Sequence, residues 1–293
     1  MTTKLERVSF RVADDRVVAD LHLPDAAAPR AAVVVAGPMT SVKEQVTGTY
    51  ARALAARGFA ALALDHRGYG ESEGAPRQYE HAGRKVEDLR AALAHLSRRP
   101  DVDARRIGLV GVCLGVGYAV TAAIDQPLVK AVGAVCGYYR DPGAMRARDA
   151  ADFDAKVRQG VDARLRYEAT GEVATVPAVA LSGDAAMMTA DTFDYYARRA
   201  AVPNYINRFA VMSREHFLPF DVQAAAPKLA VPLLMIHSDN ALSPAWARQF
   251  HERVTAPKSL VWTTSRGQTD FYDDPALVEP AADALAGHLR AHL

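Results

Sequence analysis

The sequence predicts an α/β protein with a doubly wound, mostly parallel sheet and an inserted helical cap. Continuous apolar runs at residues 31–36 and 59–64 are typical of strands that are buried on both faces. Helical spacing of apolar residues follows such runs, as at residues 83–98. Because strands and helices alternate, crossover helices should join parallel strands within one sheet. The alternation stops near residue 140 and resumes near residue 227, which indicates the insertion.

The first half of the chain begins with a hairpin and continues with alternating elements. Residues 8–12 and 17–23 predict two strands joined by the turn Ala13-Asp14-Asp15-Arg16. Gly37-Pro38 ends the first buried strand, and Gly58 ends the helix that follows it. In chain order the predicted elements are a strand at 31–36, a helix at 44–57, a strand at 59–64, a helix at 83–98, a strand at 107–111, a helix at 114–124 and a strand at 129–135.

The second half contains the predicted insertion. Residues 140–226 are charged and aromatic, and they lack strand periodicity apart from a candidate strand at 176–181. We therefore expect a first part of the core at 1–139, a helical cap at 140–226 and a second part of the core at 227–293. Some aromatic side chains of the cap should line an apolar pocket. The predicted elements of the last part are a strand at 231–237, a helix from Pro244, a strand at 259–262 and a helix at 275–293.

Composition and charge argue against several classes of function. The 293 residues carry a formal net charge of +1, with acids and bases dispersed along the chain. This balance gives no support for binding to nucleic acid or to a membrane surface. No apolar segment approaches the roughly 20 residues of a membrane-spanning helix, and the first residues lack the apolar stretch of a signal peptide. With two cysteines and no clustered metal-ligand spacing, we expect a cytoplasmic protein without a metal or other cofactor.

Residues 111–115, with the sequence Gly-Val-Cys-Leu-Gly, lie between a predicted buried strand and a predicted helix. A Gly-x-nucleophile-x-Gly turn at such a junction holds its central residue in a strained backbone conformation, and the glycines avoid clashes. Cys113 would stand at the helix N-terminus, where the dipole and free N–H groups favour an anion. Such a position lowers the pKa of a thiol and raises its thiolate fraction. The pattern therefore indicates Cys113 as a nucleophile.

Several further segments resemble the α/β-hydrolase superfamily and, within it, the dienelactone-hydrolase-like proteins. The similar segments are Lys43-Glu44-Gln45, residues 65–72 (Asp-His-Arg-Gly-Tyr-Gly-Glu-Ser), Pro76-Arg77, Glu87-Asp88-Leu89, residues 102–107 and Gly111 to Tyr118. The resemblance implies an α/β-hydrolase fold, a nucleophile, an acid after the strand that ends near His237 and a histidine in the loop after Trp262. Dienelactone hydrolases themselves use a cysteine nucleophile, in agreement with Cys113.

The same resemblance implies an oxyanion hole built from two backbone N–H groups. The residue after the nucleophile, Leu114, would supply the first. The second would come from the loop at residues 37–40, after the first buried strand. Pro38 has no N–H to donate, so Met39 is the candidate. Such donors stabilise the negative charge of a tetrahedral intermediate, which is typically the largest electrostatic contribution to acyl transfer.

The remaining two positions of the implied triad are less regular. Asp239 is the candidate acid, although the spacing to Pro244 also allows Asn240 to be the aligned residue. In the stretch where relatives carry the catalytic histidine, this chain has Gln268. A glutamine amide can orient a group by hydrogen bonding, but it does not accept a proton near neutral pH. A cysteine–histidine–aspartate relay therefore cannot be carried over directly.

Three interpretations of Gln268 remain open. Cys113 acts as a thiolate without a histidine base, with Gln268 orienting the substrate or the thiolate, since thiols are partly ionised near neutral pH. Alternatively another histidine substitutes, with His216 at the cap exit as the first candidate and His66 as the second. In the third interpretation the protein binds a ligand or catalyses a reaction that needs only positioning. A redox pair of Cys113 with Cys136 is a remoter possibility than a buried, structural Cys136.

We therefore predict an enzyme that acts on an ester, thioester or lactone through Cys113, as a hydrolase or acyltransferase. Its partner would be a small-molecule acyl substrate. The alternative is a non-hydrolytic protein of the same fold, either a ligand-binding pseudoenzyme or a catalyst of a transfer or rearrangement. The identity of the substrate depends on the residues of the cap, which hydrophobic periodicity does not describe. The sequence leaves the oligomeric state open.

Overall fold

The computed structural model describes residues 3–25 and 27–293 of the chain. Strands and helices alternate over most of this length, as predicted. The strands are β1 (Thr3–Val12), β2 (Asp15–Pro24), β3 (Arg30–Ala36), β4 (Ala60–Leu64), β5 (Val102–Val112), β6 (Val129–Val135), β7 (Thr175–Val176), β8 (Phe209–Ala210), β9 (Leu233–Ser238) and β10 (Lys258–Thr263). The α-helices are α1 (Val46–Ala55), α2 (Ala82–Ser97), α3 (Gly115–Ala123), α4 (Pro142–Arg148), α5 (Ala150–Thr170), α6 (Ala190–Asp194), α7 (Ser213–Phe217), α8 (Pro244–Arg253), α9 (Asp270–Asp273) and α10 (Pro275–His292).

The main sheet has eight strands in the order β1-β2-β4-β3-β5-β6-β9-β10. The hairpin strands β1 and β2 are antiparallel, β2 also pairs antiparallel with β4, and the pairs from β4 to β10 are parallel. The predicted doubly wound, mostly parallel sheet is therefore confirmed. Because parallel strands end at the same edge of a sheet, the loops after β3, β5, β6, β9 and β10 meet there. This edge carries Cys113 and Gln268.

The central strands are buried because helices flank the sheet. Every residue of β4 is buried, and so are all but one residue each in β3 and β6. Helix α2 packs against α3, and α1 packs against α10. Runs of alanine and valine suit such strands, since small and β-branched side chains fill the space between a sheet and close helices. The packed strands provide a rigid support for the loops at the carboxyl edge.

Residues 140–226 connect β6 to β9 and contain short elements besides the long helix α5. Helix α5 packs against α7 through Gly160, where a Cβ would overlap the backbone of Glu215. Of the candidate strand at 176–181, only Val176 lies in a strand, the two-residue β7, which pairs with β8. Pro177 follows immediately and has no N–H to extend the ladder. This segment lies over the carboxyl edge and supplies several walls of the cavity described below.

Two other differences from the prediction concern element bounds. Strand β5 begins at Val102 rather than at residue 107, with an irregular register between residues 30 and 32 of its neighbour. Helix α9 was not predicted, because its four residues are too few to show a helical period.

Among the described residues, no helix is both long and apolar enough to cross a membrane.

Candidate active site

Cys113 lies in the tight turn between β5 and α3. Its φ of 56° is in the left-handed region, which a non-glycine residue adopts only where surrounding contacts hold it. Its N–H donates to the Val135 carbonyl at 3.1 Å, and its carbonyl accepts from the N–H groups of Val116 at 3.1 Å and Tyr138 at 3.0 Å. The strained turn expected from residues 111–115 is therefore present, and backbone hydrogen bonds hold it on both sides.

The two glycines of this turn have no room for a side chain. A Cβ on Gly111 would overlap the first residues of α3, and a Cβ on Gly115 would overlap the carbonyl oxygens of Ala36 and Gly37. Close approach of two backbones, rather than a positive φ, requires glycine here. The turn consequently packs directly against the loop that contains Met39.

Gly115→Ala is expected to lower the free energy of unfolding by at least about 2 kcal/mol, because the added Cβ must displace backbone. Gly287→Ala in α10 is the matched control, since nothing lies within 4 Å of the Cβ that it adds. That variant should raise the free energy of unfolding by about 0.5–1 kcal/mol. Urea unfolding of both variants and the wild type measures the two effects. A Gly115→Ala protein as stable as the wild type would contradict the tight packing.

The Cys113 thiol is buried, with 5% of the residue exposed, and three polar groups lie beside it. They are the Tyr272 hydroxyl, the Leu114 backbone N–H and the Gln268 amide, and each favours the thiolate. Burial has the larger and opposite effect, so the pKa of the Cys113 thiol is raised above its ordinary value. The sequence-based expectation was a pKa lowered by the helix N-terminus. The structure corrects it, because removal of the thiol from water outweighs these three donors.

Gln268 is buried at the junction of two loops and Tyr272. Its Oε1 accepts from the Leu242 N–H at 2.9 Å. Its Nε2 donates to the Cys136 carbonyl at 2.7 Å and to the Tyr272 hydroxyl at 3.3 Å. The amide thus connects the loop after β9 with the loop after β6 and with the phenol that contacts Cys113. Gln268 therefore lies beside the tyrosine next to Cys113, where its amide is a hydrogen-bonding group rather than a base.

The structure does not bring Asp239 to this cluster. The Asp239 side chain is 71% exposed and pairs with Arg248 at 2.8 Å. The nearby Trp262 indole and the Arg248 guanidinium, which donates to Asp239, hold the pKa of the Asp239 carboxyl below its usual range. Asn240 is also exposed, but its Nδ2 donates to the Ser265 carbonyl at 2.7 Å, on the loop that carries Gln268. The position facing the Gln268 loop thus holds an amide, and the carboxylate next to it faces solvent.

Neither candidate substitute histidine faces the thiol. His216 is 39% exposed at its side chain, and its ring lies 4.3 Å from the ring of His81, centroid to centroid. His66 is buried, and its Nδ1 lies 3.1 Å from Asp88 Oδ2. Burial lowers the pKa of His66 despite Asp88. The expectation for His216 rested on its place at the cap exit, but its ring packs on His81 instead of entering the space above Cys113.

Glu80 holds the loop that carries Met39, the predicted second oxyanion donor. Its wholly buried carboxylate accepts hydrogen bonds at 2.9 Å from the Thr40 N–H, the Tyr69 hydroxyl and the Lys85 ammonium. Burial opposes the charge, but Lys85 and these hydrogen bonds hold the pKa of Glu80 below its usual range. The carboxylate is therefore ionised and fixes Thr40, the residue next to Met39. Sequence analysis did not single out Glu80, since no local pattern marks it.

A cavity of about 290 Å³ lies above Cys113. Of the residues that the structure describes, those lining it include no histidine, aspartate or glutamate. Most of the wall is apolar, and the exceptions are Cys113, two tyrosines, two threonines and a single arginine. The lining residues are Met39, Cys113, Tyr138, Arg140, Met145, Ala186, Met187, Met188, Thr189, Thr192, Phe217, Leu218, Leu242 and Tyr272.

The chain matches the serine aminopeptidase, S33, family over residues 27–264. It belongs to this family. YcjY, an uncharacterized protein of Escherichia coli, is 30% identical over 267 residues, which are 87% of this chain and 86% of YcjY. The uncharacterized protein PA2218 of Pseudomonas aeruginosa is 30% identical over 291 residues, 94% of this chain and 77% of PA2218. Its crystal structure superposes with a TM-score of 0.83 at 27% identity, covering 99% of this chain and 94% of that one.

Relatives of this S33-family chain with named activities match a shorter stretch. Thiohydrolase aneE of Aspergillus aculeatus is 36% identical over 116 residues, 40% of this chain and 36% of aneE. Acyltransferase drtE of Aspergillus calidoustus is 28% identical over 158 residues, 53% of this chain and 50% of drtE. These names support an enzyme of hydrolysis or acyl transfer in general terms, acting on a small molecule.

The α/β-hydrolase fold implied by the resemblance is confirmed for this S33-family protein. The dienelactone hydrolase of Anabaena variabilis has a TM-score of 0.61 at 16% identity, covering 99% of both chains. At that identity the likeness is one of fold alone. The matched family is the serine aminopeptidase one, whereas position 113, where the sequence predicts a nucleophile, holds cysteine.

Three carboxylates of this S33-family chain lie as close together as the ligands of a metal ion would. Glu44, Asp65 and Glu71 bring one oxygen each to within 4.8 Å of one another. The buried Lys43 ammonium contacts all three carboxylates, at 2.8 Å from Glu44 and 2.9 Å from Asp65. Burial opposes its charge, but these partners raise the pKa of Lys43. The cluster therefore already has its counter-charge and serves to hold the loops beside the site.

Proposed function

We propose that the protein transfers acyl groups from a thioester or an activated ester, with Cys113 as the nucleophile. One observation carries the proposal. Cys113 occupies a left-handed turn before α3, opens into an apolar cavity and lies beside the Tyr272 hydroxyl. The thiohydrolase and acyltransferase names of partial relatives agree with this class of reaction.

In the first step, Cys113 Sγ forms a bond to the acyl carbon. The bond from that carbon to the leaving sulfur or oxygen breaks, and the thiol proton ends on the leaving group. Negative charge that develops on the acyl oxygen would be stabilised by the backbone N–H groups of Leu114 and Met39. Tyr272 assists as a donor, because burial raises its pKa well above the usual range and keeps the phenol protonated. Gln268 positions that phenol through its Nε2.

The second step distinguishes acyl transfer from hydrolysis. A water molecule needs a base to become a nucleophile at neutral pH. Among the described residues that line the cavity, none is a histidine or a carboxylate. An acceptor that is itself a good nucleophile, such as a thiol, or a hydroxyl held against the acyl carbon, needs less help. The acyl group on Cys113 should therefore pass to a second substrate, or to another part of its own chain, faster than to water.

Incubation with small acyl thioesters of N-acetylcysteamine is expected to add one acyl mass to the wild type and none to Cys113→Ala. Cys136→Ala is the matched control, since the Cys136 side chain is wholly buried and outside the cavity lining. This variant should retain the adduct. Intact-mass spectrometry with peptide mapping measures all three proteins. An adduct that persists on Cys113→Ala, or a wild type that takes up no acyl group from any donor, would overturn the proposal.

A second candidate function is ligand binding without acyl chemistry. It is favoured by the raised pKa of the Cys113 thiol, which keeps the thiol protonated at rest, and by the amide at position 268. Under this alternative, an acyl ligand would bind with equal affinity to the wild type and to Cys113→Ala, and no acyl mass would be found on either protein.

A further inference from the structure

Arg140 is a buried cation in the wall of the cavity above Cys113. Only 1% of the residue is exposed, yet its guanidinium has few partners. Nη2 donates to the Leu218 carbonyl at 3.1 Å. The guanidinium stacks on the Phe217 ring, 4.1 Å from its centroid, and lies 5.3 Å from that of Tyr138. Among the described residues, no hydrogen-bond partner is present for Nε.

The other buried cations of the described chain are paired with acids. Lys43 pairs with Asp65 at 2.9 Å, and Lys85 pairs with Glu80 at 2.7 Å. The remaining two pairs are Arg67 with Asp88 at 2.6 Å and Arg214 with Asp184 at 2.5 Å. Within the described part of the chain, no such ion pair is made by Arg140. Because an unpaired buried charge is costly, its presence in a cavity wall calls for an anion from outside the chain.

We propose that the acyl group bound above Cys113 carries a carboxylate, which pairs with Arg140 inside the cavity. The proposal rests on the acyl transfer proposed above and names its substrate class, a half-thioester or half-ester of a dicarboxylic acid. The carboxylate accepts hydrogen bonds from the guanidinium, the apolar wall covers the carbon chain, and the thioester carbonyl reaches Sγ. Met145, Met187 and Leu218 provide that apolar wall.

The geometry favours a carboxylate over a phosphate. A guanidinium pairs with a planar carboxylate through parallel hydrogen bonds. A phosphate ester carries close to two charges at neutral pH, and the described lining offers only Arg140 as a cation. A phosphate would therefore leave part of its charge unpaired in an apolar space. Arg140 thus acts as a specificity-determining residue for one end of the substrate, while Cys113 reacts at the other.

The test compares pairs of N-acetylcysteamine thioesters of four to eight carbons, in which the far end is a carboxylate or the isosteric carboxamide. On the wild type, the best carboxylate is expected to acylate Cys113 about 30- to 100-fold faster than its carboxamide, as a buried charge-assisted hydrogen bond would produce. Intact-mass spectrometry measures both rates. Equal rates throughout the series would overturn the inference and leave the nucleophilic role of Cys113 standing.

Arg140→Met removes the charge and keeps a side chain that can cover Phe217. It should reduce the preference for carboxylate to within about threefold. Arg148→Met is the matched control, because Arg148 is exposed and stacks on Trp246 outside the cavity lining. This control should retain the full preference. Urea unfolding tests whether Arg140→Met is folded. An Arg140→Met protein that is folded and still prefers the carboxylate would overturn the inference.

A binding measurement separates this inference from the acyl chemistry. The Cys113→Ala protein is titrated calorimetrically with free dicarboxylates of four to eight carbons and with their diamides. Binding of a dicarboxylate at least about 30-fold tighter than its diamide, and lost in Cys113→Ala/Arg140→Met, supports the carboxylate site even if no thioester acylates the wild type. If no dicarboxylate binds and no carboxylate preference is seen in acylation, the site is absent.

Discussion

Alkylation of Cys113 by iodoacetamide is expected to accelerate about a hundredfold between pH 7 and pH 9. Burial raises the pKa of the thiol above its ordinary value, so the thiol is protonated at rest. Below that pKa the thiolate fraction, and with it the rate, rises about tenfold for each pH unit. The rate at each pH is measured by stopping the alkylation at a series of times and quantifying modified Cys113 by peptide mapping. A rate that is constant across this range would indicate a thiolate already formed at pH 7 and would contradict the burial argument.

Two variants control this measurement. Tyr272→Phe removes a hydroxyl beside Cys113 that favours the thiolate, so alkylation at each pH should be slower than in the wild type while the slope with pH persists. Cys113→Ala should lose the reaction, because Cys136 is wholly buried and burial raises its pKa even further. The proposed acylation of Cys113 should show the same rise with pH as its alkylation.

The sequence predicted the parts of the fold that depend on local patterns. Buried strands such as β3 and β4 are visible as continuous apolar runs. The turn at Cys113 is visible because its two glycines, the preceding strand and the following helix are all adjacent in the chain. The resemblance also placed Gln268 in the loop after β10, and the structure shows that it hydrogen-bonds to Tyr272 and to the Cys136 carbonyl.

Side-chain direction is what the sequence left open. Asp239 and Asn240 are neighbours, but successive side chains in a loop point in different directions, and only Asn240 faces the Ser265 loop. The same holds at α7, where Phe217 and Leu218 line the cavity while the adjacent His216 packs on His81. A one-residue difference in position decides each case, and spacing alone does not determine it.

The two unforeseen groups of the site depend on contacts that are distant in the chain. Tyr272 belongs to α9, a helix too short to predict. Its hydroxyl lies beside Cys113, although the two residues are distant in the chain. Arg140 stacks on Phe217 and bonds to Leu218, which lie more than 70 residues further along the chain. Its only local signal is a charged residue directly after the tyrosines that follow β6.

Amides at both Asn240 and Gln268 explain why this site lacks a proton relay. Gln268 Oε1 accepts from the Leu242 N–H, and Asn240 Nδ2 donates to the Ser265 carbonyl. Hydrogen bonds of this kind fix the geometry of the two loops without taking up a proton. The arrangement keeps the loops in place around Cys113 and leaves the proposed acyl-cysteine without a group that activates water.

The double variant Gln268→His/Asn240→Asp is expected to hydrolyse acyl thioesters about 100- to 1,000-fold faster than the wild type. An imidazole at position 268 would stand beside the Cys113 thiol and accept its proton. With Gln268→His alone the gain should be about tenfold or less, because the Leu242 N–H offers a donor where the ring needs an acceptor for its second N–H. The carboxylate at 240 supplies that acceptor. Release of free acid, followed with and without an added thiol acceptor, separates hydrolysis from transfer.

Asp239→Asn in the wild-type background is the matched control. Its carboxylate faces solvent and Arg248, so its loss should change acylation and hydrolysis by less than about twofold. A large loss in this variant would assign the acid to Asp239 and remove the argument for Asn240. If the double variant folds, forms the acyl adduct on Cys113 and yet hydrolyses it no faster, then a missing base is not what limits water attack. The limit would then lie in the access of water to the apolar cavity, where Met187 and Phe217 cover the acyl group.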